Sequence, residues 1–325
     1  MTVLVTGAAG FIGYHAVKRL AQQGQKVVGI DNLNDYYSVD LKQARLEQLS
    51  GLQSFNFETL DIVDKPALMA LFKTHDFTEI VHLAAQAGVR YSLDNPDAYA
   101  QSNLVGFLNV LEACRHHPPA HLIYASSSSV YGANSKLPYS VDDAVEHPVS
   151  LYAATKRANE LLADSYCHLY GLKASGLRFF TVYGPWGRPD MALFKFTEAI
   201  LQGRPIDIYN QGQMARDFTY VDDIVESIVR LCPKPPETDK EAEGVNRIFN
   251  LGRGKPVALL DFVDCLEQAL GIKARRNMLP MQAGDVIKTW ADVSALAQWI
   301  GFSPHVEVEE GVAQFVSWYR QYYRI

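Results

Sequence analysis

Tyr152 and Lys156 stand four residues apart in the stretch Ser150-Leu151-Tyr152-Ala153-Ala154-Thr155-Lys156. On a helix that spacing puts a phenol and an ammonium on one face, where the cation favours the phenolate and fits the tyrosine for work as a general base. The pattern recurs by chance in a chain with 17 tyrosines, and alone it equally describes an ordinary half-buried helix residue. Its surroundings sharpen it. The run HLIYAS from His121 is apolar and β-prone, lacks a helical period and ends among serines, which predicts a buried strand. Residues 150–170 predict a helix that Ser150 caps. A hydroxyl at the strand's carboxyl end then meets Tyr152 where an open α/β sheet keeps its ligands.

The other end of such a site is written at the amino terminus. Residues 2–6 (TVLVT) form a β-branched run, followed by Gly7-Ala-Ala-Gly10-Phe11-Ile12-Gly13 and a helical pattern to about residue 23. Strand, glycine turn and helix make a phosphate cradle: Gly7 for the turn, Gly10 for close approach of a pyrophosphate, Gly13 for packing helix on strand. The strand at 26–30 ends in Asp31, whose carboxylate accepts from both adenosine ribose hydroxyls and repels a ribose phosphate. NAD is therefore expected over NADP. Further strands are expected at 55–60, 80–83, 173–181 and 248–251, and helices at 97–116, 192–201 and 221–231. This alternation predicts an α/β fold with a doubly wound, Rossmann-type parallel sheet. Residues 1–181 with 219–251 are expected to form the NAD-binding domain. Residues 182–218 with 252–325 form a smaller carboxyl-terminal α/β substrate domain. The proline- and charge-rich residues 233–244 read as an exposed loop.

Composition sets the outer limits. With 325 residues, 48% apolar and 20% charged, the chain has ordinary globular usage and room for two domains. A formal charge of −6 argues against a nucleic-acid partner, which needs a basic face, so an anionic ligand must be met by local arginines. Cys114, Cys167, Cys232 and Cys265 have neither CxxC nor metal-ligand spacing, and no histidine sits in an HExxH pattern; reduced thiols, a cytoplasmic location and no metal are expected. The first 17 residues carry no Lys, Arg, Asp or Glu, yet they have no basic leader and three glycines interrupt them, which speaks against a secretory signal. No apolar run reaches the roughly 18 residues of a membrane span.

On these motifs the sequence resembles the extended short-chain dehydrogenase/reductase family. The resemblance implies a reactive trio of Ser127, Tyr152 and Lys156, Ser127 being the serine four residues before the tyrosine of Val130-Tyr131-Gly132. It implies NAD contacts along Gly7, Gly10, Phe11, Ile12 and Gly13, at Asp31 and Asn32, and at Asp61 and Ile62 beside the adenine. It adds Leu83, Ala84, Ala85 and Asn103 nearer the reactive end, and a homodimer paired through the helices at 97–116 and 150–170. Related dehydratases carry Asp-Glu directly after the catalytic Ser/Thr, and related decarboxylases a Glu two residues after it. Here those positions are Ser128 and Ser129, which leaves epimerisation.

Three stretches narrow the resemblance to the branch of UDP-glucuronate 4-epimerases: DNLNDYYSVDLKQARL from Asp31, QAGVRYS from Gln86, and RFFTVYGPWGRPDM from Arg178. A UDP-sugar is then the expected partner, and the sugar carboxylate needs donors, for which Arg90, Ser128, Ser129, Thr181 and Arg188 are candidates. The alternative for Arg188 is a surface residue of a Pro/Gly loop. Arg216 matches a diphosphate arginine, Tyr209 ends a strand that supports the uracil, and Asp285 matches a ribose contact. Gln282 stands where many relatives have a second diphosphate arginine. The competing expectations are a 4-epimerase of neutral UDP-hexoses and a non-catalytic NAD-binding sensor.

Overall fold

The computed structural model describes residues 1–237, 244–282 and 285–325. Residues 238–243 of the loop expected at 233–244 lie outside them. Among the described residues, twelve short strands follow in chain order. They are β1 Thr2–Thr6, β2 Lys26–Asp31, β3 Phe55–Thr59, β4 Glu79–His82, β5 His121–Ser127, β6 Lys173–Phe179, β7 Thr181–Tyr183, β8 Ile206–Ile208, β9 Ala215–Tyr220, β10 Val245–Leu251, β11 Pro256–Ala258 and β12 Arg276–Met278. Seven of them make one parallel sheet in the order β10-β6-β5-β4-β1-β2-β3. Because β1, β4 and β5 are covered on both sides, they read as continuous apolar runs without alternation. The order reverses direction between β1 and β4, and that switch point is where a doubly wound sheet opens a crevice at its carboxyl edge.

Helix Phe11–Gln22 packs one side of the sheet, and its buried Phe11, Tyr14, Val17 and Leu20 join β1 and β2 in one core. That core runs on without a break into Phe218, Phe262 and Phe315, so the carboxyl-terminal elements share the sheet's hydrophobic layer. On the opposite side Phe72, Phe107, Val110 and Leu111 pack against Leu4, Ile80 and Leu122. The remaining strands form a three-stranded sheet, β11-β9-β7, and a pair, β12-β8.

Two expected elements differ in detail. The strand expected at 173–181 breaks at Phe180, whose amide donates to the Leu251 carbonyl, and β7 then leaves the main sheet to pair with β9. The helix expected at 97–116 starts at Pro96 and contains a π-helical stretch, Ala100–Gly106, before the regular turns Phe107–His116. Asn103 lies in that stretch, and π-turns displace side chains that a regular helix would place elsewhere.

Candidate active site

A cavity of about 260 Å³ opens at the carboxyl edge of β1, β4 and β5, along the switch point. Gly7, Gly10, Phe11, Ile12 and Gly13 line it where β1 turns into its helix. Gly13 is needed for contact: a Cβ there would overlap the Gly7 carbonyl oxygen and lift the helix off the strand. The helix Phe11–Gln22 has no side-chain cap and no acidic residue in its first turn. Its first amides have no intrahelical partners and the positive end of the dipole is uncompensated, so the turn fits an anionic diphosphate.

Toward β2 and β3 the cavity is lined by Asp31, Asn32, Asp61 and Ile62. Asp31 is buried and accepts from the amides of Leu33 (2.8 Å) and Ala9 (3.2 Å), which aims both carboxylate oxygens. Asn32 donates to Asp61 at 2.8 Å, tying the two adenosine-side residues together. Leu83, Ala84 and Ala85 line the wall after β4. This donor and acceptor set fits a dinucleotide whose ribose hydroxyls are unmodified.

Toward β5 the cavity ends at Ser127, Tyr152, Lys156 and Arg188. Helix Leu151–Tyr170 delivers the phenol and the ammonium; Ser150 caps it by accepting from the Ala153 amide at 3.1 Å, and Gly171 closes it in the left-handed region. Burial raises the Tyr152 phenol above its ordinary value, while the Ser127 hydroxyl and the Arg188 charge pull it down. Lys156 is anchored from the strand side. Its ammonium is buried, donates to the Ala125 carbonyl at 2.9 Å, and is depressed by desolvation to about 8. Arg188 adds a second positive charge at the Tyr152 end of the cavity.

Asn103 is buried beside the cavity, next to the lining residues Gln86 and Ser102. Its amide accepts from Gln86 N (2.8 Å) and donates to Gln86 O (3.0 Å) and Thr155 Oγ1 (3.1 Å), so its side chain is committed to joining the β4 loop to the Tyr152 helix. Ser129 donates its amide to Ser127 Oγ, orienting that hydroxyl. Ser128 and Ser129 are half-buried at the turn and stand outside the cavity lining, while Thr181 lines a small annex that shares Arg188 and Met191 with it. Arg188 is half-buried and its guanidinium is held by Asp190, from Nε at 3.0 Å and Nη2 at 2.5 Å.

The residues expected at the nucleotide end gather separately. Arg90 stacks over the Tyr209 ring at 5.2 Å and pairs with Asp285 at 3.5 Å. Arg216, beside the same Asp285, donates from Nη1 to the carbonyls of Ala215 and Ile287. Unforeseen in the sequence are Tyr36, Lys42, Gln86 and Asp190. Lys42 is buried 3.9 Å from Asp31 and donates to Asn34 O and Oδ1. Tyr36 and Lys42 sit inside the DNLNDYYSVDLKQARL stretch, so that stretch was the available signal. Nothing local marked which of its side chains turn inward.

A seven-stranded Rossmann sheet, a capless glycine turn and a Tyr-x-x-x-Lys helix at one crevice define a dinucleotide-dependent enzyme of the tyrosine-lysine type. The chain belongs to the NAD dependent epimerase/dehydratase family, whose model matches residues 3–252. Among its relatives, the probable UDP-glucuronate 4-epimerase of Rhizobium meliloti (strain 1021) is 51% identical, the match covering 100% of this chain and 98% of that one. UDP-glucuronate 4-epimerase 4 of Arabidopsis thaliana is 48% identical over 99% of this chain and 76% of its own length. The crystal structure of UDP-glucuronic acid 4-epimerase from Bacillus cereus in complex with UDP-glucuronic acid and NAD matches with a TM-score of 0.91 and 34% identity, covering 99% of this chain and 100% of that one.

Proposed function

We propose that the protein inverts carbon 4 of a UDP-hexuronate, interconverting UDP-glucuronate and UDP-galacturonate through a transient 4-keto sugar, with NAD as cofactor. The observation that carries this reading is the meeting of Ser127, Tyr152 and Arg188 at the reactive end of a dinucleotide cavity, with no carboxylate following Ser127.

Bound NAD supplies reversible oxidation at the sugar's carbon 4. Ser127 donates to the 4-oxygen, and Tyr152 takes the proton of that hydroxyl as the carbonyl forms. The same phenol returns the proton when the carbonyl is reduced on its other face, so no further acid or base is required. The Lys156 ammonium and the Arg188 guanidinium keep this end of the cavity positive, which favours the phenolate as the working form. Arg188, with the Thr181 hydroxyl in the adjoining annex, faces the carboxylate on carbon 5, and the expected donors Ser128 and Ser129 border this end from the turn after Ser127. A 4-ketone beside that carboxylate is a β-keto acid. Donors that hold the negative charge on the carboxylate oppose its passage into the ring and so suppress loss of carbon dioxide.

At the nucleotide end, Arg216 faces the diphosphate while Arg90, Tyr209 and Asp285 frame the uridine. We also infer the division into a cofactor part, 1–181 with 219–251, and a substrate part, 182–218 with 252–325. Cytoplasmic residence is supported by free, buried Cys114, Cys167 and Cys232. A homodimer is supported by apolar Val105, Leu108 and Leu161, exposed on the two helices that the family resemblance pairs. Among the described residues no helix is long and apolar enough to cross a membrane.

Incubation with UDP-glucuronate, followed by NMR, tests the reading: UDP-galacturonate is the expected product. Tyr152→Phe lowers turnover by about 10²- to 10⁴-fold while UDP-glucuronate still binds. Turnover of UDP-glucose as fast as UDP-glucuronate would replace the hexuronate with a neutral sugar. Unchanged turnover in Tyr152→Phe would remove the assigned base.

A further inference from the structure

The three stretches that single out this chain's branch meet at one point outside the reactive trio. Tyr36, from DNLNDYY, donates its hydroxyl to Asp190 Oδ2 at 3.1 Å. Asp190, from GRPDM, grips Arg188 along its Nε and Nη2 edge. Gly88, from QAGVRYS, has φ +102, and a Cβ placed on it would lie 2.5 Å from the Tyr36 hydroxyl. Only glycine leaves room for the phenol to reach Asp190 there.

The backbone leading to Arg188 is fixed from the same side. His15 Nε2 bonds the Pro185 carbonyl at 2.9 Å. Fully buried Arg45 donates to Trp186 O at 2.7 Å and Gly187 O at 3.3 Å, and with its other nitrogen to Ala9 O, inside the glycine turn, at 2.8 Å. Residues 15, 36 and 45 all belong to the cofactor half of the chain. They hold both the main chain and, through Asp190, the side chain of Arg188.

We propose that Asp190 and Tyr36 are positioning residues for recognition of a charged sugar: Asp190 fixes the guanidinium by one edge, Tyr36 fixes Asp190, and the remaining Nη1 is presented to the substrate carboxylate. This deepens the reading of Arg188 as the carboxylate donor and rests on it. A guanidinium has five N–H donors in a rigid fork, so it can hold one carboxylate and donate to a second from its free end. Preorganisation matters because a misplacement of about 1 Å costs roughly 10²-fold in rate. An Asn at 190 would offer one acceptor and turn its amide donors on the guanidinium, leaving Arg188 free to rotate.

The experiment compares NAD-loaded wild type, Asp190→Asn, Tyr36→Phe and Arg188→Ala. Each is assayed for kcat and KM on UDP-glucuronate, for calorimetric affinity for UDP-glucose, and for the ratio of UDP-pentose to epimer by NMR. Asp190→Asn is expected to raise KM for UDP-glucuronate about 10- to 100-fold and to raise the pentose ratio, with a much smaller change in UDP-glucose affinity. Tyr36→Phe shifts the same quantities in the same direction by less, and it decides the matter if Asp190→Asn fails to load NAD. An equal loss on both sugars, no change on either, or tighter binding of UDP-glucuronate overturns the proposal. If Arg188→Ala separates the two sugars and neither other variant does, the positioning role alone falls. If Arg188→Ala fails to separate them, the hexuronate reading falls with it.

Discussion

Lys156 shows how a single residue can be stabilising for the reaction and destabilising for the fold. It is almost wholly buried, its only hydrogen-bond acceptor among the described residues is the Ala125 carbonyl, and burial moves it from 10.5 to about 8. Since the folded pKa lies below the unfolded one, the unfolded chain binds more protons between about pH 8 and 10.5. Stability therefore rises with pH across that window, and the burial penalty is fully present below it. Two and a half pH units correspond to about 3 kcal/mol. Lys156→Met removes that penalty, so at neutral pH the NAD-free variant is expected to melt several degrees above wild type although it has lost activity. By pH 10 most of the difference disappears. Thermal melts of the NAD-free proteins at pH 7 and pH 10 check it; a variant that melts lower at pH 7 would mean that the Ala125 hydrogen bond outweighs the buried charge.

At the scale of elements, the sequence made β1, β4 and β5 legible because each is a mostly branched or apolar run that ends at or just before Gly, Ala or Ser. Helices Ala192–Leu201 and Val221–Leu231 fall at their expected bounds, since each has an apolar stripe of clear helical period. Ser127, Tyr152, Lys156 and the Gly7–Gly13 turn converge as their motifs predict, because each motif is a local device whose geometry is fixed by its own few residues. What stayed hidden depends on distant partners. The exit of β7 from the main sheet needs β9 to receive it, and the burial of Asn103 beside the cavity needs Gln86 and Thr155 to bind it. The Tyr36–Asp190 contact joins residues 154 apart, beyond any periodicity.

The cofactor turn gives a prediction at the same scale. Gly13→Ala places a methyl group onto the Gly7 carbonyl oxygen, which is backbone on both sides and cannot yield as a flexible side chain would. The helix start must move away from β1, and the amides that fit the diphosphate move with it. The variant is expected to purify without NAD and to regain little on adding it, measured as absorbance at 260 nm relative to 280 nm and by calorimetric titration. Ser150→Ala is the milder contrast: loss of the cap on helix Leu151–Tyr170 costs about 1 kcal/mol and lowers the melting temperature while NAD is retained.

For the molecule as a whole, the outer sides of the helices Phe107–His116 and Leu151–Tyr170 carry exposed apolar groups. The two are bound to each other by Tyr166, which donates to Glu112 at 2.7 Å, so they present one joint surface. Val105, Leu108, Leu151 and Leu161 are between 38% and 55% exposed, a density of large apolar groups that a monomer gains nothing by showing to water. Both helices also reach the site: one carries Tyr152 and Lys156, and the π-helical stretch that leads into the other holds Gln86 through Asn103. Covering this surface with a second copy would bury the apolar groups and stiffen the two supports of the reactive end together. On the proposed pairing, wild type should sediment as a dimer and a Leu108→Glu, Leu161→Glu double variant as a monomer. Because charge on this outer surface leaves the trio's own contacts intact, the double variant should keep bound NAD and lose part of kcat. A wild type that is already monomeric at micromolar concentration, or a double variant that stays dimeric, would exclude this pairing of the helices.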